Sequence, residues 1–148
     1  MVPSLSMLFK IDLKTAFNSD SGLLKNLTEF SMSESEFLAV AEATLDAIEI
    51  GMERAGDAAD VDLECSRSGN VLEIEFIDQG SKIIVNTQAA MKEIWVAARA
   101  GGFHYRMTDD QRWKDTRDGS ELFAALSRLA SAQAGAILHV KQDPTDAA

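Results

Sequence analysis

Thirteen carboxylates fall between Glu34 and Asp78, and only Arg54 and Arg67 oppose them there. They are Glu34, Glu36, Glu42, Asp46, Glu49, Glu53, Asp57, Asp60, Asp62, Glu64, Glu73, Glu75 and Asp78. From Gln79 onward eight acids meet nine bases, so the net charge of −10 belongs to one third of the chain. Like charge this dense destabilises a compact state by self-repulsion. A multivalent cation or a basic protein surface would relieve it, and the residues alone leave both readings open. Carboxylate oxygens suit hard cations, which include iron in either oxidation state, calcium and manganese. An EF-hand is excluded, because the stretch from Asp60 carries Cys65 where the loop needs glycine. Nothing here builds a closed cage, so cation binding is expected to be weak, multiple and sensitive to salt. The plain alternative is an acidic face that is only solvated.

The elements that carry this acid can be read from its spacing. Ser33 or Ser35 can cap a helix, with Glu36 as the capping-box partner of Ser33. Phe37, Ala41, Leu45, Ile48 and Met52 then mark one apolar face, and Gly56 is a plausible stop. Glu42, Asp46, Glu49 and Glu53 follow spacings of four, three and four, a narrow stripe away from that face. The period then changes to two. Asp60, Asp62 and Glu64 alternate with Val61, Leu63 and Cys65 as a half-buried strand with acid outward. Residues 66–70 read as a hairpin loop, and Leu72, Ile74 and Phe76 form the inner face of the next strand. Glu73 and Glu75 lie on its outer face, so acid on one strand meets acid on its neighbour. Seven carboxylates are thus the metal candidates: Glu42, Asp46, Glu49, Glu53, Asp60, Asp62 and Glu64.

Downstream the chain alternates strands and turns. A strand over residues 82–86 follows the turn at 78–80, and the segment 93–98 is ambiguous by pattern. Phe103 to Arg106 and Arg112 to Asp115 read as further strands before a closing helix with Leu122, Phe123, Leu126, Leu129 and Ala130. Helix, antiparallel strands, helix implies an α+β two-layer sandwich: a sheet of about five to six strands with the N- and C-terminal helices on one face. The other face stays open to solvent, with Asn86, Gln88 and Trp95 as candidate contact residues. Trp113 reads as core or partly buried, and His104 as a hydrogen-bonded sheet histidine. His139 lies near a frayed end, and Arg99, Arg106, Arg112, Lys114 and Arg117 read as ordinary balanced surface.

Composition bounds the rest. A chain of 148 residues, 46% hydrophobic, suits one globular domain. No apolar run approaches bilayer length, so a soluble protein with no membrane contact is expected. A lone cysteine, Cys65, excludes an internal disulfide and a thiolate metal cage, fits a reducing compartment, and reads as core-facing and inert. A pI near 4.6 argues against nucleic acid. Residues 1–31 form an extension of no assigned role that fits neither a secretory signal nor a transit peptide. They carry a possible short helix around Leu23, Leu24 and Leu27, and the natural start is expected at Met32, with the domain over 32–148. No nucleophile with a paired base and no phosphate loop is present, so an enzyme is not expected.

From Met32 to Val140 the chain resembles the frataxin family, in particular its bacterial CyaY group. The carriers are Asp60-Val61-Asp62, Gly69-Asn70-Val71-Leu72-Glu73-Ile74-Glu75-Phe76 and Gly80-Ser81-Lys82-Ile83-Ile84-Val85-Asn86-Thr87-Gln88. They continue through Ile94-Trp95-Val96-Ala97, Gly101-Gly102-Phe103-His104-Tyr105 and Trp113 to Gly119-Ser120-Glu121-Leu122. The resemblance implies that the segment around Trp95 is a strand and that Trp95 stands on the open sheet face. It implies a bacterial cytoplasmic accessory protein of iron–sulfur cluster assembly, monomeric without iron. Such a protein binds iron weakly and regulates or supplies the cysteine desulfurase and the scaffold protein. Weak ferroxidase-type activity is a further implication. Glu49, Glu53, Asp60 and Asp62 match acidic positions of the family. Ile50 and Arg54 stand where relatives often carry acid, and Ala90 replaces a common proline. The alternative is an acidic interaction module that regulates the desulfurase with metal incidental.

Overall fold

The computed structural model describes residues 31–143; the expected short helix around Leu23 lies outside them. Ser33 opens helix α1 (Glu34–Ala59), and the capping box forms as expected. The Ser33 Oγ accepts from the Glu36 amide at 3.1 Å, and the Ser33 amide donates to Glu36 Oε1 at 2.8 Å. Six strands follow: β1 (Leu63–Ser68), β2 (Val71–Phe76), β3 (Ser81–Gln88), β4 (Glu93–Ala98), β5 (Gly101–Met107) and β6 (Trp113–Asp115). They pair antiparallel in sequence order, a meander, and α2 (Leu122–Ala134) closes the chain. The ambiguous segment is therefore strand β4, and the α+β sandwich stands.

The core lies between the helices and one sheet face. Phe37, Leu45, Ile48 and Met52 of α1 and Leu122 and Leu126 of α2 pack with Leu72, Ile74, Phe76, Ile83, Val85, Ile94 and Val96 of the sheet. Trp113 joins them, edge-on to Phe37 at 6.0 Å, and its indole donates to Thr44 Oγ1 at 3.0 Å. Four expectations change. Gly56 does not stop α1; it is buried inside it, and a Cβ there would stand 2.8 Å from Leu63 Cδ2. Its missing side chain lets β1 lie close under the helix, and the helix ends instead at Asp60, at φ 56°. Aspartate tolerates this left-handed conformation better than most residues. Asp60 and Asp62 accordingly precede β1 and are not part of it, while Ser66, Arg67 and Ser68 belong to the strand and leave only a two-residue turn. Finally, the segment after Gly135 is not frayed: Leu138 and Val140 are buried, tied to α2 through Ser131 and Ser127.

Candidate metal and partner-binding surfaces

The seven carboxylates do not form one ridge. Arg67 projects from β1 toward α1, and its guanidinium lies 2.9 Å from Glu42, 2.8 Å from Asp46 and 4.0 Å from Glu49. The Asp46 hydrogen bond, ahead of the Glu42 and Glu49 charges, raises the Arg67 pKa above its ordinary value. The upper part of the helical stripe therefore carries its own counter-ion. A loop reading of residues 66–70 hides this, because only strand parity aims Arg67 at the helix. Glu49 and Glu53 also bear on Cys65, whose half-buried thiol is pushed up to about 12, chiefly by burial and then by these two charges. That agrees with an inert cysteine.

At the far end of α1 the balance reverses. Asp57, Asp60, Asp62 and Asp78 line one shallow depression with Gly56 and Val61. The Ile77 amide donates to the Asp62 carbonyl at 3.0 Å, which brings the β2–β3 turn and Asp78 against the helix exit. No basic residue occupies the last turn of α1, where the helix dipole already places partial negative charge. Asp57 was missed although it continues the stripe four residues after Glu53, because Gly56 was taken as the end of the helix. Asp78 follows neither the stripe nor the strand alternation, and only the fold brings it to Asp60 and Asp62. Among the described residues no three His, Cys, Asp or Glu side chains converge as a ready-made metal site, so a cation there would keep much of its water.

Glu64 belongs to neither group. It faces the open side of the sheet opposite Glu75, beyond the strand layer from the helical stripe. Like charges in register destabilise such a pair. Lys82 offsets this acid in part: it stands in register with Glu75 across β2–β3, and its Nζ lies 3.0 Å from Glu73.

The open face has a structured centre. Asn86, Gln88 and Trp95 are all half-buried on it; Asn86 pairs with Trp95 across β3–β4, and Gln88 donates to Asn86 at 3.1 Å. Trp95 stacks on His104 with ring centroids 4.4 Å apart and planes 10° from parallel. Its Nε1 donates to Glu93 Oε1 at 2.8 Å, and Glu93 also meets Arg106 Nη2 at 2.5 Å. Arg106 is thus not ordinary surface, and the sheet histidine His104 has Trp95 and Glu93 as its neighbours: His104, Arg106 and Trp95 enclose a carboxylate that is only 3% exposed. Arg117 likewise lies over the Phe103 ring at 5.7 Å. Outward strand parity gave no sign that Glu93 would be covered.

Comparison with known proteins agrees with this architecture. A frataxin-like domain matches residues 30–136. The iron–sulfur cluster assembly protein CyaY of Janthinobacterium sp. (strain Marseille) is 65% identical over 104 residues, 70% of this chain and 92% of that protein. CyaY of Cupriavidus taiwanensis is 64% identical over 107 residues, 72% of this chain and 95% of that protein. Among solved structures, frataxin from Psychromonas ingrahamii superposes with a TM-score of 0.61 at 26% identity, covering 74% of this chain and 99% of its own. A trimeric yeast frataxin complexed with ferrous iron shares the fold at a TM-score of 0.56 and 21% identity, covering 79% of this chain and 99% of its own. No described helix is long and apolar enough to cross a membrane. The chain belongs to the frataxin family, alongside the bacterial proteins called CyaY.

Proposed function

We propose that this protein serves iron–sulfur cluster assembly as an iron-responsive accessory. It binds iron weakly as cargo or signal on its acidic end and meets the cysteine desulfurase and scaffold through charge and the open sheet face. The observation that carries this reading is the group Asp57, Asp60, Asp62 and Asp78 at the negative end of α1, whose last turn holds no base. It joins the family's acidic positions Asp60 and Asp62 to two further carboxylates, with Glu53 one turn before Asp57. Hard oxygen donors in an open depression suit ferrous or ferric iron held with part of its hydration shell. The naming of relatives as assembly proteins supports the pathway.

A second reading treats the acid as a docking surface for a basic patch of the desulfurase, with metal incidental. Its support is the absence of a converging three-ligand set among the described residues and the exposure of nine of the thirteen acids between Glu34 and Asp78. Electrostatic steering would serve that role directly. One experiment parts the two. The variant E49Q/E53Q/D60N/D62N is titrated with Fe²⁺ and, in parallel, with purified desulfurase at several iron levels. Loss of iron binding together with loss of iron-dependent regulation, while desulfurase affinity persists, supports the iron reading. Loss of desulfurase affinity with iron binding intact overturns it in favour of docking.

A further inference from the structure

We propose that Glu93 is a positioning residue: its buried carboxylate fixes the Trp95 indole in the orientation in which the open face meets its protein partner. This rests on the reading of that face as a partner contact. The sheet register assembles the group. Glu93 stands opposite Arg106, and Trp95, two residues along on the same face, stands opposite His104. Both oxygens of Glu93 are engaged: Oε1 accepts from Trp95 Nε1 at 2.8 Å and lies 3.5 Å from His104 Nδ1, and Oε2 meets Arg106 at 2.5 Å.

A carboxylate this buried is unfavourable unless it is paired, and an apolar residue would serve stability as well or better. What the carboxylate adds is specific to Trp95. A sheet-surface indole free to turn would have to be ordered on binding. Here the Glu93 acceptor fixes one edge, and the His104 ring, 4.4 Å away and nearly parallel, fixes its plane. With its N–H satisfied inside the sheet, Trp95 offers a partner its carbon edge, so the contact it fits is apolar. Holding the indole in the bound orientation removes an ordering cost worth about 2- to 10-fold in affinity for one such side chain.

The test uses the full chain. Its two indole N–H resonances, from Trp95 and Trp113, are assigned with W95F. In E93A the Trp95 resonance is expected to shift and exchange faster with solvent. That of Trp113, held by Thr44, stays put and reports an intact core. Affinity for the purified desulfurase–scaffold complex is expected to fall about 3- to 10-fold in E93A. E93Q, whose amide oxygen still accepts the indole N–H, should restore the Trp95 signal and bind within about twofold of the native chain. Native-like affinity in E93A, or an equal loss in E93Q and E93A, overturns the inference; the second result would assign the effect to charge. W95A separates the underlying reading: if it binds normally, the open face is not the contact, whatever Glu93 does.

Discussion

Two side chains under α1 show how the acid on the surface reaches inward. Cys65 is half-buried, and burial followed by the charges of Glu53 and Glu49 pushes its thiol up to about 12. The thiolate is the reactive form. Iodoacetamide at pH 8 is therefore expected to label Cys65 more than about tenfold more slowly than a free thiol. E49Q/E53Q, or a cation seated between those two residues, should speed the labelling, and a rate unchanged by either would separate Cys65 from the stripe. The raised value also has a sign for stability. The folded chain holds this proton more tightly than the unfolded one, so the contribution is complete below the ordinary thiol value of 9.0 and is lost as pH climbs from there toward about 12. Thr44 is the second case. Its buried hydroxyl donates to the Val40 carbonyl at 2.7 Å and accepts from Trp113 Nε1 at 3.0 Å. T44V leaves the indole N–H without that acceptor in the core, and chemical denaturation should show a loss of about 1–3 kcal/mol.

Between elements, the close approaches decide what local pattern cannot. The capped start of α1, the period-two strands and the outward positions of Asn86 and Gln88 were legible, because burial follows side-chain periodicity; the strand around Trp95 and its place on the open face were implied by the family resemblance, its segment being ambiguous by pattern. Gly56 was misread as a stop because a glycine late in a helical pattern looks the same whether it ends the helix or admits a neighbour. Only the 2.8 Å approach of Leu63 distinguishes the two. Arg67 and Glu93 were hidden for a related reason. The partners of Arg67 lie more than a dozen residues away on α1, and Glu93 is covered by β5, which no spacing within β4 reveals. The same geometry makes predictions. G56A forces a methyl into Leu63 and should lower stability by about 1–3 kcal/mol in urea melts, although alanine is the better helix former. G51A would set its Cβ 2.6 Å from the Lys141 carbonyl. It should displace the segment carrying Leu138 and Val140 and speed proteolysis there, leaving the sheet intact.

For the molecule as a whole, the charge is arranged so that the same chemical change has opposite signs at two places on α1. Asp57, Asp60, Asp62 and Asp78 sit together at the negative end of the helix with no base in its last turn. Glu42, Asp46 and Glu49 instead surround Arg67, whose side chain is only 18% exposed. Neutralising the first group removes repulsion. D57N/D60N/D62N/D78N is expected to raise the melting temperature by about 3–6 °C, the shift that roughly 1 kcal/mol gives a domain of this size. Asparagine tolerates the left-handed conformation of residue 60, so no backbone strain offsets the gain. Neutralising the second group strips a largely covered guanidinium of its partners, and E42Q/D46N/E49Q should lower the melting temperature by a similar amount. Salt and cations give the independent check. Added NaCl or a divalent cation is expected to stabilise the native chain by screening or binding the first group, and D57N/D60N/D62N/D78N should lose most of that response. E42Q/D46N/E49Q should retain it. Equal responses in all three proteins would overturn the proposal that the helix exit binds a cation.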